Sequence, residues 1–217
     1  LCTGHAAGLY RLPFYRCNML IAVTNRTLCQ DDFLMRIEAA ASAKPSGILL
    51  REKDLSDASY AALAAQCRTI CAAALCRMHG VPLIVNRILT TPNPSDWLQL
   101  PFPIFQQHRR ETLPGKCIGV SVHALEEACS AQKLGADFLI AGHIFSTACK
   151  KGLPPRGLSF LQEICTACSI PVLGIGGVSA ERIPAVLQTG AAGACIMSEW
   201  MTQPNPKEII QKFLQVL

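Results

Sequence analysis

The residues best suited to chemistry fall in short clusters, each at the end of an apolar run. The first is Leu50-Arg51-Glu52-Lys53-Asp54. Arg51 and Lys53 are two apart, so on an extended backbone they share a face. Two cations on one face suit a carboxylate or a phosphate; the plainer alternative is a solvated turn in which Glu52 and Asp54 pair with them. Ser121 and His123 share a face in the same way. Gly142-His143-Ile144-Phe145-Ser146-Thr147 leads into Cys149-Lys150-Lys151-Gly152, placing an imidazole beside a hydroxyl and two cations. Partial burial keeps imidazole neutral, as a general base requires, and on this ground His123 and His143 are equal candidates. Cys149 beside Lys150 has the look of an activated thiol, but a cysteine that lines the loop is the better reading. Lastly, Gly174-Ile175-Gly176-Gly177 before Ser179, and Ile196-Met197-Ser198, offer backbone N–H groups to an anion.

The elements that must position these clusters are readable from periodicity. Apolar, β-branched runs mark strands at Met19–Asn25, Gly47–Glu52, Pro82–Arg87, Asp96–Pro101, Lys116–His123, Phe138–Ile144, Pro171–Gly177 and Gly193–Glu199. Helical patterns lie between them at Asp31–Ala43, Asp57–His79, Leu125–Leu134, Ser159–Cys168 and Ala180–Thr189, with a closing helix from Asn205 to Val216. Ser56, Ser179 and Asn205 stand at N-cap positions, with Glu208 completing a capping-box pattern. Gly80, Gly135 and Gly190 stand at helix ends, where a left-handed residue is wanted. The connections after strands three and four are irregular, broken by Pro92, Pro94, Pro101 and Pro103. Strand–helix alternation repeated about eight times predicts parallel strands with right-handed crossovers. Without a dinucleotide glycine fingerprint, a single closed (β/α)8 TIM barrel is favoured over an open doubly wound sheet. In such barrels function sits at the C-terminal strand ends, and phosphate binds between the loops after strands seven and eight.

Composition narrows the classes. Half of the 217 residues are apolar and 16% are charged, a globular balance with material for one core. The net charge of +5 is mild, and scattered Lys and Arg with few aromatics argue against nucleic acid. No apolar run is long enough for a membrane span, and Leu1 to Cys17 lacks the pattern of a signal peptide. Residues 1–18 read as a poorly ordered extension and 19–217 as the barrel domain. The 12 cysteines do not form a zinc pattern: Cys67, Cys71 and Cys76 lie in an alanine-rich helix, and Cys165-Thr166-Ala167-Cys168 is a lone CxxC. Reduced thiols in a cytoplasmic protein are the expectation.

In order along the chain, Leu50-Arg51-Glu52-Lys53, Gly119-Val120-Ser121-Val122-His123, Gly174-Ile175-Gly176-Gly177 and Ile196-Met197-Ser198 resemble the thiamine phosphate synthase / TenI superfamily, over about Met19 to Met201. The resemblance implies a TIM barrel that handles the thiazole phosphate half of thiamin. Synthases of this superfamily carry an Asn-Asp pair at the end of strand three and an acid after strand four, which hold Mg²⁺ for a pyrophosphate leaving group. This chain departs from them with Asn86-Arg87 and with the acid-free Leu98-Gln99-Leu100-Pro101-Phe102-Pro103. Mg²⁺ is bound through carboxylates and water, so the departure counts against synthase activity and predicts neither metal nor cofactor. The run from Gly142 to Gly157, and Gln99-Leu100-Pro101, look like TenI, the thiazole tautomerase; in that family the histidine of the Gly-His motif transfers the proton, which carries over to His143.

The resulting expectation is an isomerase that aromatises a carboxylated thiazole phosphate tautomer by metal-independent proton transfer. His143 is its catalytic residue. Arg51, Lys53, Asn86, Ser121, His123, Thr147 and Lys150 contact the substrate, with Arg51, Lys53 or Lys150 meeting its carboxylate. Gly176, Gly177, Met197 and Ser198 hold the phosphate. The partner is a small thiazole phosphate, and exposed barrel helices are compatible with a homodimer. Two rivals stand beside this: a thiamine phosphate synthase with an altered metal site, and a non-catalytic regulatory barrel that binds thiamin-related phosphates.

Overall fold

A strand in a parallel barrel is covered on one face by the barrel interior and on the other by helices, so its residues are apolar throughout. Met19–Val23 (β1), Gly47–Leu50 (β2) and Phe138–Gly142 (β6) are accordingly buried at every position. The computed structural model describes residues 18–73, 80–87, 97–108, 112–113, 116–150 and 152–217. With Leu83–Val85 (β3), Trp97–Pro101 (β4), Cys117–Val122 (β5), Val172–Ile175 (β7) and Gly193–Ile196 (β8), the strands close into one barrel in sequence order. Every neighbouring pair is parallel, including β1 with β8, where Met19 faces Gly193. Closure there depends on a missing side chain: a β-carbon on Gly193 (φ +151°) would lie 2.0 Å from the Met19 carbonyl oxygen.

Around the barrel lie Phe33–Ser42 (α1), Asp57–Ala73 (α2), Phe102–Gln107 (α3), Leu125–Lys133 (α4), Gly157–Ala167 (α5), Ile183–Gln188 (α6), Ser198–Thr202 (α7) and Pro206–Val216 (α8). The apolar residues divide into two sets. Met19, Ile21, Val23, Leu49, Ile84, Cys117, Phe138, Ile140, Leu173 and Cys195 fill the interior, and a larger set packs strands against helices. Trp200 of α7 donates to the carbonyls of Val23 (3.0 Å) and Ile196 (3.3 Å). Arg36 of α1, buried, bonds the carbonyls of Trp200 (2.6 Å) and Gln203 (2.9 Å) and pairs with Asp31, whose carboxyl it holds down at about 2. No described helix is long and apolar enough to cross a membrane.

Several boundaries differ from the sequence expectations. The strands are shorter, because residues such as Glu52, His123 and Gly177 continue past the last ladder bonds. Pro101 and Pro103 do not break structure: they open α3, where a missing N–H costs nothing. Ser198 and Glu199 belong to α7 and not to β8. Residues 180–182 form a 3₁₀ turn before the shorter α6. Ser56 accepts from Ser59 N–H as a cap should, whereas Ser179 and Asn205 occupy cap positions without the cap bond; Asn205 bonds the Glu208 side chain instead. Gly135 and Gly190 are left-handed, but Gly80 is not. Asn18, assigned to the extension, donates to Ala192 O at 3.0 Å. The expectations for residues 1–17, Cys76, the helix end at His79, Pro92, Pro94, Asp96 and Lys151 lie outside the described residues.

Candidate functional site

Strand parity decides which side chains enter the mouth. Because Leu49, Ile84, Trp97 and Cys117 belong to the interior set, Arg51, Asn86, Gln99, Ser121 and His123 lie on the same face further along each strand. Glu52 falls on the opposite face. It is buried, accepting from Thr24 Oγ1 (2.5 Å) and Arg26 N–H (2.8 Å). Asp54 pairs with Arg26. The acids next to Arg51 and Lys53 are therefore engaged elsewhere, and the self-paired turn is not what forms.

The loop after β6 crosses the mouth. Thr147 receives the N–H of Lys150 on its carbonyl (3.1 Å) and that of Cys149 on its hydroxyl (3.4 Å), which sets the 3₁₀ turn Ala148–Lys150. Cys149 Sγ then lies 3.9 Å from Ser198 Oγ at the start of α7. On the other side, Lys150 is close enough to Lys53 and His123 to alter their proton affinity. The charge of Arg51, then burial, then Lys150 hold Lys53 below the ordinary lysine value. Burial, with Lys150 and Arg156, holds His123 below the ordinary imidazole value, against the opposing pull of Glu127.

His143 is 4% exposed, and neither ring nitrogen has a hydrogen-bond partner. It packs beside Gly176, where an added β-carbon would lie 2.6 Å from His143 Cβ. Asn86 donates its backbone N–H to Tyr60 Oη at 3.0 Å, while its Oδ1 is buried without a partner. Gln99 Nε2 donates to Ser121 Oγ at 2.6 Å. Gly176 and Gly177 turn with φ of +99° and +62°, and a β-carbon on Gly177 would lie 2.4 Å from Ser146 O. This brings the β7 turn against the β6 loop. Met197 and Ser198 lie next to it, where β8 passes into α7. The sequence candidates thus ring one mouth.

Two residues outside the candidate set organise it. Arg156 donates to the carbonyls of His123 (2.9 Å) and Gly142 (3.1 Å), and its N–H to that of His143 (3.0 Å), tying β5 to β6. Its place five residues before the buried Leu161 of α5 gives no cue from periodicity; only its position in the run from Gly142 to Gly157 marked it. Arg87, at the end of β3, turns away from the mouth: it bonds Glu52 O (2.7 Å), Leu55 O (3.0 Å) and Asp57 (2.9 Å), and stacks 4.2 Å over the Tyr60 ring.

This bears on Mg²⁺, which synthases of the resembled superfamily use. Glu52, Asp54 and Asp57 are engaged with Thr24, Arg26 and Arg87. No group of three or more His, Cys, Asp or Glu side chains able to hold a metal forms among the described residues. Among the described residues, amide, hydroxyl and cationic groups face the mouth, and this donor set does not fit a hard dication.

Known proteins give the family and correct the activity. A family model described as thiamine monophosphate synthase (TMP-TENI) matches residues 20–91 and 104–200. Thiamine-phosphate synthase 2 of Streptococcus pneumoniae serotype 4 is 32% identical over 91% of this chain and 94% of its own. Thiamine-phosphate synthase of Desulfitobacterium hafniense strain Y51 is 34% identical over 86% of this chain and 91% of its own. Among solved structures, thiamine phosphate pyrophosphorylase from Pyrococcus furiosus superposes with a TM-score of 0.78 at 26% identity, covering 91% and 94% of the two chains. These relatives overturn the thiazole tautomerase expectation and the isomerase class with it. They are named for a transferase reaction, and the likeness spans nearly the whole chain, whereas the tautomerase reading leaned on one loop and one short strand-end motif. Similarity over this length leaves one assignment: the chain belongs to the thiamine monophosphate synthase (TMP-TENI) family.

Proposed function

We propose that this barrel is a transferase of the thiamine-phosphate synthase type, joining a thiazole phosphate to an aminopyrimidine diphosphate with release of pyrophosphate. The observation that carries the reading is the convergence of Arg51, Lys53 and Lys150 at the mouth, where the charge of Arg51, then burial, then Lys150 hold Lys53 below the ordinary lysine value. In the transfer, the thiazole nitrogen forms a C–N bond to the pyrimidine methylene while the C–O bond to the diphosphate breaks, its electron pair leaving with pyrophosphate. Negative charge grows on the leaving oxygens, and preplaced cations stabilise that charge more in the transition state than before it. In this reading Arg51, Lys53 and Lys150 receive the diphosphate. Asn86 Oδ1, buried without a donor, accepts from the pyrimidine amino group. His143, also without partners, meets a ring heteroatom. Ser121, His123 and Thr147 line the space between, and Gly176, Gly177, Met197 and Ser198 take the thiazole phosphate through backbone groups. No step is routed through a metal, since the mouth residues among those described do not fit one.

The test is pyrophosphate release and thiamin phosphate formation from the two substrates, with wild type against Arg51→Ala/Lys53→Ala. Product from the wild type and loss in the variant support the proposal; no product from the wild type across a range of Mg²⁺ overturns it. A second reading, a barrel that binds these phosphates without turnover, is favoured by Arg87, which occupies the β3 end and is locked outward onto Asp57. Saturable binding of thiazole phosphate by calorimetry, with no pyrophosphate released, selects that reading.

A further inference from the structure

We propose that Cys129 and Cys168 form a redox-sensitive dithiol that closes to a disulfide between α4 and the α5–β7 connection, on the wall of the barrel away from the mouth. A separate clamp sets the register. Gln132, one turn beyond Cys129 on α4, accepts at Oε1 from Ser169 N–H (2.7 Å), Ser169 Oγ (3.2 Å) and Ile170 N–H (3.2 Å). Residues three apart on a helix share a face, so Cys129 stands over the residue just before Ser169, which is Cys168. Cys129 lies close enough to Cys168 to raise the proton affinity of its thiol. Among the described residues both are free thiols, Cys129 half-buried and Cys168 8% exposed. Cys165, the other cysteine of the CxxC, is turned elsewhere. It lies near Thr189 and against Gly190, where a β-carbon would be 3.5 Å from Cys165 Cβ.

The roles follow from exposure. Burial, with Cys129 and Cys165 adjacent, pushes the Cys168 thiol up to about 11, so it is a poor first target for an oxidant. Cys129 is the accessible one. Its thiolate attacks a peroxide, the O–O bond breaks, and Cys129 becomes a sulfenic acid as hydroxide departs and is protonated. The Cys168 sulfur then displaces the sulfenic hydroxyl. An S–S bond forms, the Cys168 proton leaves with the hydroxyl as water, and one hydrogen peroxide has become two waters. The link ties α4 to the segment that feeds β7 and its Gly176-Gly177 turn.

The experiment treats the full chain with hydrogen peroxide, alkylates remaining thiols, and maps the peptides by mass. The expected result is a dithiothreitol-reversible link between the peptides carrying Cys129 and Cys168, two hydrogens lighter than the reduced pair. It persists in Cys165→Ser and is lost in Cys129→Ser and in Cys168→Ser. Wild-type protein should also melt at a higher temperature oxidised than reduced. A link from Cys129 to Cys165, or a fully alkylated Cys129 and Cys168 after oxidation, overturns the proposal. Because the readout is mass and melting, it does not depend on the transferase reading.

Discussion

The two sides of the barrel mouth are built from different parts of the chain's chemistry. On the β7–β8 side the backbone does the work: Gly176 and Gly177 turn with positive φ, and the Gly177 carbonyl is held by Arg182 at 2.6 Å. On the β2–β6 side long side chains do it, with Arg51, Lys53 and Lys150 converging while the neighbouring Glu52 and Asp54 are engaged by Thr24 and Arg26. A backbone site is part of the fold, so damage to it costs stability. A side-chain site sits on the fold and can be removed with little structural effect. In the proposed function, affinity and stability are therefore coupled on one side and separate on the other.

The largest effect should come from the side-chain side. Arg51→Ala/Lys53→Ala should lower kcat/KM for diphosphate release about 100-fold or more, by analogy with the loss of preplaced charge stabilisation in other enzymes. Its Tm should move by less than about 2 °C, as expected where no packing is lost. A large drop in Tm would erase the contrast. Gly177→Ala should do both kinds of damage. At φ +62° an alanine costs about 1–3 kcal/mol, and its β-carbon would press on Ser146 O, so Tm falls and thiazole phosphate affinity weakens about tenfold. Equal stability in this variant, by calorimetry, would mean the turn is not built in.

The smallest effect is in pH. Lys53 sits below the ordinary lysine value of 10.5 because of Arg51 first, then burial and Lys150. A lysine with a depressed value loses its charge earlier as pH rises, so diphosphate affinity should begin to fall below pH 10.5. Binding of the anion favours the charged lysine and should take up a proton. Arg51→Ala should move the fall toward higher pH, a shift of several-fold in affinity at a fixed alkaline pH, readable by titration calorimetry in buffers of different ionisation heat. An unmoved profile would detach Lys53 from Arg51.

The barrel was legible because eight doubly buried strands leave eight apolar runs, and strand-end glycines mark where backbone must bend. Their lengths were not legible: with both faces covered there is no alternation to show where a ladder stops, and Ile144 remains core after β6 has ended. Pro101 and Pro103 looked like breaks because a proline at a helix start and one inside a helix are identical in sequence. The mouth residues were legible from position, but the partners that orient them were not. Glu52 looked like a local counter-ion until parity put it on the outer face with Thr24. Arg87 stands where the synthases carry an acid, and nothing in the sequence shows that it bonds outward to Asp57. The activity was not legible, because the run from Gly142 to Gly157, Gln99-Leu100-Pro101 and the missing acids at the ends of strands three and four are short local departures, whereas the similarity to the synthases spans the chain.

Closure through Gly193 and Met19 also sets an order of events during synthesis. The strand that completes β1 is the last strand made, since β8 supplies its second neighbour. At typical translation speeds of about 5–20 residues per second, β1 waits on the order of 10 s or more at the ribosome with one edge open. An unpaired apolar edge invites pairing with another chain. Production of this protein should therefore depend on what shields the nascent barrel, and crowded polysomes would be its most hazardous environment.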